Sequence, residues 1–61
     1  MNLFNTIAKT IDEMVEELIE DGVIFGKVEE VSKTEDGDIF IKIGYIHPNG
    51  EEWEFTNTIE A

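Results

Sequence analysis

Carboxylates dominate the side chains that can do chemistry in this chain. Fifteen of its 61 residues are Asp or Glu, against four Lys, no Arg, one His and no Cys, and the formal charge is −11. A carboxylate pair does acid–base work when a cleft holds its two members in different environments. In a chain this acidic such pairs carry no specificity, and a chain this short builds no cleft around a scissile bond. His47 stands at a strand end beside Pro48, with no Ser, Cys or Arg placed to complete a nucleophilic site, and reads as a turn residue. Without Cys and with one His, thiolate zinc sites and imidazole clusters are excluded. Glu35-Asp36-Gly37-Asp38 lacks the alternating ligands and closing Glu of a calcium loop and reads as a solvated hairpin. No glycine-rich phosphate loop is present. The expectation is a protein that is not an enzyme and has no metal or cofactor.

What the carboxylates offer instead is a charge distribution. Asp12, Glu13, Glu16, Glu17, Glu20 and Asp21 fall within one helical stretch. They span roughly 13–14 Å of helix axis, one charge per ~2–3 Å, against ~1.7 Å for duplex DNA. Acids here oppose the negative end of the helix dipole and repel one another at i,i+3 and i,i+4, at a cost of ~0.3–1 kcal/mol per misplaced charge. Only Lys9 offers a pairing, to Glu13. A helix shaped for stability alone places Lys near Glu20 and Asp21. Direct nucleic-acid binding and attachment to an anionic membrane both need cations this chain lacks. A basic protein is the natural partner.

The elements that position these residues follow from spacing. Leu3, Phe4, Ile7, Ile11, Met14, Val15, Leu18 and Ile19 recur at intervals of three and four, which predicts an amphipathic helix over 3–21 capped by Asn2 and stopped at Gly22. Three strands follow, over about 23–33, 38–47 and 51–59, joined by a loop centred on Asp36-Gly37 and by Pro48-Asn49-Gly50. In the first strand Glu29-Glu30 interrupts the alternation, and a bulge there lets Val28 and Val31 share a face; Gly26 is a second candidate irregularity. A three-residue loop at 48–50 sets His47 opposite Glu51, Tyr45 opposite Trp53, Ile43 opposite Phe55 and Ile39 opposite Ile59, with Asn57 opposite Ile41 as the polar exception. The expected fold is α+β: one N-terminal helix on a three-stranded antiparallel meander (αβββ), a single domain over 1–61. The helix covers the face bearing Ile39, Ile41, Ile43, Tyr45, Trp53, Phe55 and Ile59, with Trp53 and Phe55 buried against Ile11, Met14 or Leu18.

A domain of this size has little core and gains from a partner. Two functions from different classes are open. In the first, the helix acids, supported by Glu52 and Glu54 on the outward face of the last strand, mimic nucleic-acid phosphates and block the groove of a basic nucleic-acid-binding protein. In the second, Phe40 and Ile46 on the second sheet face make an apolar contact, pairing two copies or seating the chain as a subunit of a larger assembly, and the acidity serves solubility. In size, charge and helix-plus-sheet layout the chain resembles the small DNA-mimic inhibitors made by phages. The resemblance is one of class, with no inhibitor motif matched residue by residue, and it implies an anti-host or anti-defence role. Equally acidic small proteins include anti-CRISPR and anti-restriction proteins. With no apolar run of transmembrane length, the expected location is the cytoplasm, that of a host if the chain is viral.

Overall fold

A computed structural model describes residues 2–60, Phe25 by its backbone alone. One helix, α1 (Leu3–Glu20), precedes three strands, β1 (Ile24–Lys33), β2 (Ile39–Ile46) and β3 (Glu52–Ile59). The strands form one antiparallel sheet in the order β1-β2-β3, so the expected αβββ meander is the observed fold.

Local chemistry sets the ends of α1. The Asn2 side chain accepts from the backbone N–H groups of Phe4 and Asn5 at 3.0 and 3.3 Å, satisfying two donors of the first turn. At the other end the N–H of Gly22 donates to Ile19 O and that of Val23 to Leu18 O, with Gly22 at φ 77°. This double bond pattern needs a left-handed residue after the cap, and it brings Val23 onto Leu18; both are buried. The chain therefore turns from helix to β1 over three residues while extending the core.

Both hairpins close in the same way. Thr34 N–H donates to Asp38 O and Gly37 N–H to Thr34 O; His47 N–H donates to Glu51 O and Gly50 N–H to His47 O. Each loop is three residues long and ends on a glycine with positive φ, 87° at Gly37 and 90° at Gly50. The second loop fixes the expected register: Tyr45 opposes Trp53, Ile43 opposes Phe55, Ile41 opposes Asn57 and Ile39 opposes Ile59.

β1 carries two irregularities, one between Phe25 and Lys27 and one between Val28 and Glu30. They make Gly26 and Glu29 the extra residues. The second bulge does what the sequence demands: Val28 opposes Ile43 and Val31 opposes Ile41, so both valines join the helix side while Glu29 and Glu30 leave it. Ile24 opposes Ile46 on the other face.

The buried core is Met14, Leu18, Val23, Ile41 and Ile43, with Ile7, Ile11, Val15, Ile39, Tyr45, Phe55 and Ile59 packed around it. Trp53 corrects the expectation. It points to the helix side, as its register with Tyr45 requires, yet it is 52% exposed. A single helix is narrower than three strands. Buried residues gather under Met14 and Leu18, and the far end of β3 lies beyond that cover. The indole N–H donates to Glu51 Oε2 at 3.1 Å, and the His47 ring meets the indole edge-on at 5.8 Å and the Tyr45 ring at 5.5 Å. Trp53 thus caps an aromatic corner at the surface.

Candidate partner-binding surface

The helix sets Asp12, Glu13, Glu16, Glu17, Glu20 and Asp21 outward, and all six are exposed. With Met14 and Leu18 buried, a turn of 100° per residue puts Glu16 opposite the sheet, with Asp12, Glu20 and Glu13 close to it on either side and Glu17 and Asp21 turned toward one flank. Among the described residues the ion pairs join Lys42 to Glu30 at 4.0 Å and to Glu54 at 3.6 Å, so no helix carboxylate is neutralised. No basic residue occupies the last turn, and the charge faces the negative end of the dipole. Ile19, 63% exposed, lies one turn from Glu16 and sets an apolar side chain within this negative surface.

Glu52 and Glu54 belong elsewhere. They oppose Ile46 and Gly44, which alternate with the core residues Ile43 and Tyr45 and so face away from the helix. The two layers of the fold separate them from the helix acids, and one flat surface cannot include both sets. The sheet's outer face gathers Glu29, Glu30, Glu52 and Glu54 with Lys27 and Lys42. The row Glu30–Lys42–Glu54 crosses all three strands. These pairs are solvent-exposed and contribute little to stability.

The structure does not join Phe40 and Ile46 into one apolar patch. Six residues apart on β2, they stand roughly 20 Å from each other, with Lys42 and Gly44 between. Phe40 is half-buried, while Ile46 sits beside Ile24, which is 56% exposed. Two copies meeting through this face would set four carboxylates of each against the same four of the other, offset by only Lys27 and Lys42.

Features invisible as motifs appear on the same face. A Cβ on Gly26 would lie 2.7 Å from the carbonyl oxygen of Gly44, and one on Gly44 would lie 2.6 Å from Glu29 Oε2. The two glycines let β1 close onto β2 and let the Glu29 side chain fold over the central strand. An open groove of about 570 Å³ runs here, lined by Gly26, Lys27, Glu29, Gly44, Glu52 and Glu54 among others. The signals for it were Gly26 and the doubled Glu29-Glu30, both of which mark bulges, but which carboxylate would fold back over Gly44 depends on the final register. Among the described residues no His/Cys/Asp/Glu group is arranged to hold a metal ion. Among the same residues no helix is long and apolar enough to cross a membrane.

Fold and surface together define a small two-layer α+β protein with an unneutralised acidic helix and an acidic sheet face. No protein-family model, no curated protein and no solved structure matches this chain.

Proposed function

We propose that this protein is a binding protein that occupies the nucleic-acid groove of a basic partner, presenting carboxylates where the partner expects phosphates. The observation that carries this reading is the set of six exposed helix carboxylates, none of them paired to a cation among the described residues. A surface kept negative at the wrong end of a helix dipole weakens the fold, and a cationic groove offsets that cost on binding. The body supports the reading too. Its extents of 38 × 20 × 13 Å describe an elongated, flattened body with carboxylates on both broad faces, and a duplex is likewise charged all round. Attraction over a Debye length of ~8–10 Å speeds the encounter, and Ile19 within the acidic surface adds a contact that excludes water. Binding is competitive and no bond is made or broken.

The test is displacement. Immobilised protein captures basic proteins from a lysate at low salt, and duplex DNA is then added. Release of nucleic-acid-binding proteins by DNA, at concentrations where an uncharged polymer releases nothing, is the expected result. Captured proteins that keep hold of this chain while binding DNA at the same time refute groove occupancy.

A further inference from the structure

We infer that β3 is a docking edge, and that it takes an extended segment of a partner by strand addition, with basic residues alternating with apolar ones. The inference rests on the partner being basic, as proposed above. The two edges of the sheet differ in what they leave free. β1 is broken by bulges at Gly26 and Glu29 and carries Lys27 and Lys33, features that blunt an edge. β3 runs for eight residues in unbroken register with β2 and contains no bulge, no Pro and no Lys.

Hydrogen-bond direction says which groups β3 offers. His47 N–H donates to Glu51 O, so the odd-numbered residues of β3 bond inward to β2. The N–H and C=O groups of Glu52, Glu54, Thr56 and Thr58 then point away from the sheet. The N–H of Thr58 accords with this: it donates not to a strand but to the side chain of Asn57, at 2.9 Å. Glu54 and Thr56 lie at the centre of this open edge.

Side chains set the chemistry of the occupant. On the outer face Glu52 and Glu54 flank the edge, Glu54 also reaching Lys42 at 3.6 Å. Residues of an added strand that point to this face are met by carboxylates, which select Lys or Arg. Residues that point to the other face meet half-exposed Trp53 and part-buried Phe55 and Ile59, which select apolar side chains. The added strand covers the indole that α1 leaves open. A second copy of this chain is the poorer occupant. With Thr56 on the two-fold axis, Glu52 of each copy meets Glu60 of the other, and each body carries −11.

A synthetic ten-residue peptide of alternating Lys and Val is the probe, titrated into the full chain at low salt. The expected result is binding that slows hydrogen exchange at the amides of Glu54 and Thr56 and blue-shifts Trp53 fluorescence. A copy of the peptide N-methylated at every second residue keeps its charge and side chains but loses one row of backbone donors, and it should bind at least about tenfold more weakly. Thr56→Pro removes an outward N–H while sparing the bonds to β2, and it should weaken the unmodified peptide to the same degree. Equal binding by the N-methylated copy overturns the inference whatever the fate of the proline variant. So do equal binding to a folded Thr56→Pro protein, absence of binding at low salt, or dimerisation of the free protein through β3. Charge reversal on α1 leaves β3 untouched and Thr56→Pro leaves α1 untouched, so failure of one reading is distinguishable from failure of the other.

Discussion

The two outer strands pair with the same central strand and solve opposite problems. β1 must turn to the helix side two valines that its sequence spaces three apart, and it does so by bulging at Glu29, after a first bulge at Gly26. Those bulges twist the strand and spoil its free side for pairing. β3 has no such conflict, because Trp53, Phe55, Asn57 and Ile59 alternate cleanly on the helix side. Its free side stays regular and its end stays uncovered, with Trp53 half exposed. Where the sequence fits the ladder imperfectly the fold spends glycine and makes a closed edge. Where it fits well the fold leaves an open one.

The comparison depends on β2, so the largest effect comes from breaking that strand. Ile43 is wholly buried between the two edges and under Met14 and Leu18. Ile43→Ala should cost ~2–5 kcal/mol. A domain of this length has ~3–9 kcal/mol in total. Thermal melting followed by circular dichroism should show the cooperative transition lost or shifted far down, and an unchanged melt would misplace the core.

Next comes the closed edge. At Gly26 the missing Cβ is replaced by the Gly44 carbonyl, so Gly26→Ala forces backbone against backbone and should cost ~1–3 kcal/mol by chemical denaturation. Gly44→Ala meets only the Glu29 side chain, which can swing out, and should cost less. Equal costs would show that Glu29 is held as firmly as the backbone.

The open edge should be the more tolerant. Trp53→Ala should cost ~1–2 kcal/mol, below the ~3–5 kcal/mol of a fully buried aromatic, because half the residue is already in water. Loss of folding on that substitution would show the indole inside the core, where sequence alone had placed it. The smallest effect is expected on the helix. Glu20→Lys removes a charge from the wrong end of the dipole and should stabilise by ~0.3–1 kcal/mol, less at high salt.

Sequence carried most of the fold because its signals were local. Asn2, Gly22, Gly37 and Gly50 each mark a boundary by their own backbone chemistry, and the interval from Val28 to Val31 required the bulge that is found. The exposure of Trp53 depends on where one helix crosses a wider sheet, which no local pattern states. The surface divided in the same way. The helix acids were legible from 3.6-residue periodicity. Their separation from Glu52 and Glu54 follows only when the two layers are stacked, and the folding of Glu29 over Gly44 only when the register is known.

An acidic helix that is a binding surface, and more than a solvated one, must lose its partners when its charge is reversed. Charge reversal of Glu13, Glu16 and Glu20 to Lys tests it most directly, with capture from the same lysate by wild type and variant at low salt. The reversals face away from the core and should leave the melt unchanged or raise it. The nucleic-acid-binding proteins retained by the wild type should be lost from the folded variant. Their retention in full by the triple Lys variant would contradict it.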